Sequence, residues 1–288
     1  MPERRTGGHS ITVEAPMRVA FGVVVDISMW QLFMPPVVHT EILERHGAGE
    51  LVRLWALTNG EAVRTWLYRR HLDTSERRIT FVNESPEPPL ASLRGAWSFR
   101  MVDERKTQVE RHHEFGVVDD DPLTARRAAE GADADARVEL DAVSMVAERH
   151  RELDKILLSF EEGLLVRGPV RAAYEFLDEV SATKNVRLCF PHRKIVYKDV
   201  AVPEHLDALT GHWTLTEHQD GVTVGARHTA MIKPSAAGAP ALGGAATLDD
   251  ARAHLREQLG EASMDVLRRA RDFAEGTRSR LMGPIASR

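Results

Sequence analysis

The spacing of apolar positions changes along the chain, and each change marks an element. "HSITVEAP" at 9–16 alternates apolar and polar residues and stops at Pro16, which suits a first strand. Residues 17–30 shift to a helical pattern, with Val19, Phe21, Val23 and Val24 among the apolar positions. "FMPPVVHT" then predicts a break, because proline removes a backbone donor and restricts the residue before it. Strand-like runs follow at 38–45, 50–58, 63–72, 77–84, 93–102 and 106–117. The turns between them, such as "RHGAGE", "TNGE" and "VDERKT", are short and polar, which favours antiparallel hairpins. "DDDP" at 119–122 closes the series as a solvated turn and helix entrance. Residues 132–158 read as a long helix, with Val138, Val143, Val146 and Leu153 near helical spacing.

An antiparallel sheet has one face to bury, and a long terminal helix can cover it. A strongly bent sheet around such a helix leaves a cavity between the two. The expected fold class is therefore α+β.

The second half repeats this order. "TVEAPMRVAF" at 12–21 matches "LVRGPVRAAY" at 165–174, with Pro16 opposite Pro169. "RRITF" at 77–81 matches "RKIVY" at 193–197, and "LRGAW" at 93–97 matches "LTGHW" at 209–213. "VERHHEF" matches "VGARHTA", which sets His113 opposite His228. A closing helix recurs from "TLDD", with Thr247 as its N-cap, to about residue 273. Two homologous domains are expected, 1–155 and 156–288. Pro16 lies 54 positions before Arg70, whereas Pro169 lies only 18 before the matching Arg187. The second copy thus lacks the counterpart of roughly 26–60: a helix end, the Pro-Pro turn and two strands. Its sheet should be shortened.

Composition narrows the function. The chain has 288 residues, 28% charged and 43% hydrophobic, as in ordinary globular proteins. A net charge of -5 leaves no basic footprint for nucleic acid. No apolar run is long enough to span a membrane, and "MPERRTGGHS" lacks the apolar core of a secretion signal. Cys189 is the single cysteine, which excludes an intrachain disulfide and a thiolate zinc cluster. The expected location is the cytoplasm.

The stretch "VRTWLYRRHLD" at 63–73 carries a cation on both faces of a strand. Trp66, Tyr68 and Arg70 share one face; Leu67, Arg69 and His71 share the other. A buried guanidinium cannot neutralise itself and needs a carboxylate or a polar ligand. Arg70 is thus either half of a structural salt bridge or a ligand-facing cation. Trp30 is either core or pocket wall. His113, on a face with Val109, Arg111 and Phe115, is either a satisfied structural group or a proton-exchanging one. His112 and His113 point to opposite faces and make no metal pair. No P-loop, dinucleotide fingerprint or G-x-S-x-G occurs.

Taken together, "PPVVH", "LWALTNGE", "TWLYRRHLD", "GAW" and "HEFGVVDDDP" in the first half, with "LSFEEGL", "VRLCFPHRKIVYK", "GHWTLTE" and "RHTAMIKPSA" in the second, resemble one family. It is the didomain aromatase/cyclases of bacterial type II aromatic polyketide synthases. The resemblance covers nearly the whole chain and implies two tandem helix-grip, START-like domains. In each, a curved antiparallel sheet grips a long C-terminal helix around a deep pocket. It implies a poly-β-ketone substrate, ketoreduced and tethered through phosphopantetheine to an acyl carrier protein. First-ring C7–C12 aldol closure and dehydration would follow, with no metal or redox cofactor. The implied catalytic set is Arg70, Tyr68 and His113, with Tyr68 standing where the family carries serine. Trp30, Trp66, Trp97, Phe33, Met34 and Val37 would bind substrate, and Arg187, Trp213 and His228 are the second-domain equivalents. Other synthase subunits and a second copy of the chain are the further partners implied. Two rival readings stay open: a non-catalytic carrier of an apolar ligand, and a scaffold for synthase subunits.

Overall fold

The computed structural model describes residues 2–58, 62–181, 186–244 and 246–282. The chain divides into two compact units, Met1–Leu153 and Asp154–Arg288.

The first unit runs β1 (Arg5–Val13), α1 (Met17–Val25), a 3-10 turn (Ile27–Met29), α2 (Trp30–Phe33), then β2 (Val37–His46), β3 (Gly49–Thr58), β4 (Ala62–Asp73), β5 (Arg78–Asn83), β6 (Leu90–Met101) and β7 (Thr107–Val117), and closes with α3 (Pro122–Glu148). Its seven strands form one antiparallel sheet in the order β1-β7-β6-β5-β4-β3-β2. α3 packs on β1 and β7, and α1 packs on α3. The strand expectations hold to within a few residues. The "TNGE" turn lies, from residue 59, outside the described residues.

The helices depart further. The first ends at Val25, well before the prolines, because the Asp26 carboxylate accepts from the Ser28 N–H at 3.1 Å and opens a tighter turn. α3 starts ten residues earlier than its apolar spacing indicated. Asp121 caps it by accepting from the Thr124 N–H at 2.8 Å, and Pro122 fits the first turn. Its first turns carry a polar, alanine-rich sequence that masks the period.

After a short α4 (Leu153–Ile156), the second unit runs β8 (Leu157–Val166), α5 (Val170–Ser181), β9 (Val186–Phe190), β10 (Lys194–Asp199), β11 (Leu206–His218), β12 (Gly221–Ile232) and α6 (Leu248–Met282). Residues 157–158, expected to end a helix, instead begin β8. The five strands order as β8-β12-β11-β10-β9. This is the first sheet without β2 and β3, as the missing segment requires. Thr247 caps α6, its Oγ1 accepting from the Asp250 N–H at 3.1 Å. No helix among the described residues is long and apolar enough to cross a membrane.

Candidate active site

The register of β4 explains its arginine. Glu50 lies directly opposite Arg70, Val52 opposite Tyr68 and Leu54 opposite Trp66. Glu50 and Arg70 are 3% and 5% exposed, so the charge pair is almost fully out of water. Arg70 Nε and Nη2 lie 2.7 and 2.6 Å from Glu50 Oε2, Nη1 donates to the Val24 carbonyl at 3.2 Å, and Nη2 to the Val25 carbonyl at 2.6 Å. Those carbonyls belong to the last turn of α1, where no intrahelical donor remains. The salt-bridge alternative therefore describes most of what Arg70 does. Among the described residues, one Nη1 proton of Arg70 has no acceptor. On the outer face Arg69 pairs with Glu84 and Glu44, half exposed.

Arg70 also lines a pocket between the sheet and α3, of about 870 Å³ counted out to its mouth. Trp30, Tyr68, Trp97 and His113 line it too, among Val24, Ile27, Val52, Leu54, Ile79, Phe81 and Leu93. Trp66 shares the strand face of Tyr68 but is not part of this wall. Phe33, Met34 and Val37 are corrected from pocket to core: they are 5%, 1% and 5% exposed and do not line the cavity. The cause is the early end of α1. The chain turns at Asp26, so Trp30 reaches the pocket and the residues after it pass into the core.

Three further lining residues carry charge: Arg111, Asp135 and Glu139. Arg111 Nε donates to Glu139 Oε2 at 2.7 Å and Nη1 to the His112 carbonyl at 2.8 Å. Its guanidinium carbon sits 4.5 Å from the Phe81 ring centre and 5.3 Å from that of Trp97, within cation–π range. Asp135 stands one helical turn before Glu139, at the exposed end of the pocket. Burial of its carboxyl and then the charge of Glu139 raise its pKa, against the opposing charge of Arg111. Burial, followed by Glu139, lifts the Tyr68 phenol well above its ordinary value, so it is a donor and not a base. Burial and then Arg111 lower His113, which favours a neutral imidazole. The Trp30 indole N–H is buried with no hydrogen-bond partner among the described residues. The pocket thus offers an apolar wall, neutral donors, two cations in Arg70 and Arg111, one neutral imidazole and one carboxyl whose pKa is raised. No group of three or more potential metal ligands occurs among the described residues.

The sequence reading noted Arg111 only as a face-mate of His113, and passed over Asp135 and Glu139. Strand parity placed the first beside the pocket. The i, i+4 spacing of two acids on the closing helix would have signalled the others.

The second unit aligns with the part of the pocket that its shorter sheet retains. Trp97 pairs with Arg111 across β6 and β7, and Trp213 pairs with Ala226 across β11 and β12. Glu148 accepts from the Glu14 N–H at 3.1 Å, and Glu275 from the Arg167 N–H at 2.9 Å, which fixes the registers of α3 and α6. Arg111, Asp135 and Glu139 then correspond to Ala226, Ala262 and Val266. A second cavity is lined by Trp213, His228, Ala262 and Val266, but not by Arg187. Arg187 instead donates to the carbonyl and carboxylate of Asp178, in the last turn of α5.

Comparison with known proteins matches residues 13–139 to the family model described as polyketide cyclase / dehydrase and lipid transport. The chain is 32% identical to the granaticin polyketide synthase bifunctional cyclase/dehydratase of Streptomyces violaceoruber, over 93% of each chain. The chain belongs to the polyketide cyclase/dehydratase family. A second member of that family, the actinorhodin polyketide synthase bifunctional cyclase/dehydratase of Streptomyces coelicolor, is 33% identical over 91% of this chain and 94% of its own. Among solved structures, the di-domain ARO/CYC StfQ from the steffimycin biosynthetic pathway superposes with a TM-score of 0.80 at 33% identity, covering 94% of this chain and 99% of that one. The cyclase/dehydratase family and its two-domain helix-grip fold are those the sequence motifs pointed to.

Proposed function

We propose that the first unit closes and dehydrates the first ring of a poly-β-ketone tethered to an acyl carrier protein, and that the second unit is structural. One observation carries this reading: charged and proton-exchanging groups converge in the first pocket, while three of their equivalents in the second are Ala226, Ala262 and Val266. The substrate is reactive already, so the pocket's task is to fold it until one carbon meets one carbonyl. Neutral His113 would take a methylene proton, and the enolate would add to the facing carbonyl. Tyr68, the uncommitted Nη2 of Arg111 and the remaining Nη1 proton of Arg70 would donate to the alkoxide as it forms. His113 would pass its proton to the alkoxide and, neutral again, take the second methylene proton while Asp135 protonates the departing hydroxyl, which leaves as water as the carbon–carbon double bond forms. The resemblance carried by the sequence motifs supports C7–C12 closure of a ketoreduced chain by a cytoplasmic synthase as part of this reading. A carrier would need fewer polar groups than this pocket holds.

The test is reconstitution of the minimal synthase with and without the protein, with products read by mass and absorbance. Wild type should give the dehydrated first-ring product, and folded His113→Phe should lose it. An unchanged product profile with folded His113→Phe overturns the reading.

A further inference from the structure

The two copies of the histidine differ in what surrounds them. In the second, His228 Nδ1 lies 2.7 Å from the Tyr197 hydroxyl, and the Phe160 ring stands 5.3 Å away on the neighbouring strand. In the first, each of those neighbours is replaced. Phe81 stands at the position of Tyr197 and has no hydroxyl; Gly7 stands at the position of Phe160, paired with His113. Asp133 stands at the position of Gly260. His113 is 4% exposed, and its Nδ1 is buried with no hydrogen-bond partner among the described residues. Its Nε2 lies 3.6 Å from Asp133 Oδ1, beyond hydrogen-bond distance, so the half-exposed carboxylate acts on the ring through its charge. Gly7 sits at that gap: a Cβ there would fall 2.5 Å from His113 Nε2 and 3.1 Å from Asp133 Oδ1.

We infer that Asp133 is a positioning residue: it holds His113 as the Nε2–H tautomer, so that Nδ1 keeps the lone pair, and Gly7 keeps the line between them clear. A neutral imidazole carries a single N–H, and a carboxylate beside one nitrogen keeps the proton there. The value of this arrangement rests on the reading of His113 as base, since only the unprotonated nitrogen accepts a proton. The charged and titratable groups around the ring come from three elements. Arg111 shares its strand, Asp133 and Glu139 face it from α3, and His9 on β1 shares Asp133 at 3.2 Å. Burial and Arg111 favour the neutral ring, while Asp133 and Glu139 favour the charged one. Removing Asp133 therefore frees the tautomer and lowers the titration midpoint.

Nitrogen-15 spectra of the histidines in the full chain read both quantities, with the His113 signals assigned by their loss in His113→Gln. Wild type should show Nε2–H. Asp133→Ala should show mixed tautomers and a midpoint at lower pH, and Asp133→Asn should do the same, whereas Asp133→Glu should keep the carboxylate charge and with it the Nε2–H form. Gly7→Ala, with Asp133 intact, should also disturb the tautomer. An Nδ1–H form in wild type, or an Asp133→Ala spectrum identical to wild type, overturns the inference. Turnover of Asp133→Ala should fall by up to ~100-fold, a part of what a general base contributes. If the spectra behave as expected and turnover does not change, the positioning stands and the assignment of His113 as base falls.

Discussion

Arg70 and Arg187 make the same kind of contact in their separate units: each guanidinium donates into the last turn of the helix after the unit's first strand, Arg70 to the Val24 and Val25 carbonyls and Arg187 to that of Asp178. The counter-charge differs. Glu50 on β3 serves Arg70, whereas the second unit has no such strand and draws its carboxylate from Asp178 on the helix itself. The clamp survives the loss of two strands because its partner was moved, which marks it as a requirement of the fold.

Arg70→Ala is accordingly expected to cost stability first. It takes one of two arginines from Glu50, whose Oε1 stays 2.7 Å from Arg45 Nη2, and leaves the Val24 and Val25 carbonyls without their donor. Breaking a buried pair outright costs about 3–5 kcal/mol, which is the upper bound here. Arg187, 32% exposed at its side chain, should cost about 1 kcal/mol or less. Urea unfolding of the two variants checks this, and equal losses would contradict it.

The acid assigned to dehydration predicts a pH effect. Asp135 donates while protonated, so its contribution is present below its pKa and is lost as pH rises through it. Glu139→Gln removes a charge that raises that pKa. The alkaline limb of the dehydration rate should therefore move to lower pH. Arg111→Leu should slow ring closure ~100-fold or more, as loss of an oxyanion donor does. Single-turnover rates across pH measure both.

His212 predicts an acid weakness in the second unit. Burial, then Lys194, Arg227 and His228, depress its pKa from 6.5 to about 4. A depressed folded value means the stabilisation is complete above pH 6.5 and is lost as pH falls toward 4. The loss should be about 2–3 kcal/mol, and His212→Gln should flatten it in denaturation measured across that window.

The division of labour is tested by paired changes in the intact chain. His113→Phe should reduce correct product ~100-fold or more, the scale of one lost general base. His228→Phe should leave the product profile unchanged. The opposite result would assign catalysis to the second unit.

Strand positions were legible because side chains alternate, and the repeat was legible because Pro16, Trp97 and His113 recur at matched spacings. The same parity put Tyr68 and Arg70 on the pocket face. The partner of Arg70 was not legible, since Glu50 reaches it through a cross-strand register that no local pattern encodes. Phe33, Met34 and Val37 were misplaced for a related reason: an Asp26 side chain ends the helix where apolar spacing continues. Asp133, Asp135 and Glu139 were passed over because half-exposed charges on a helix read as a solvated face until the strands facing them are known.

The sheet and its arginine clamp recur in both copies, whereas the charges that distinguish the two pockets lie mainly on one stretch of α3, residues 133–139. That separates the burden of folding from the choice of chemistry. A lineage, or a protein engineer, can rewrite which proton moves and which oxygen is held by altering two turns of a single helix. The frame that keeps the pocket open need not change.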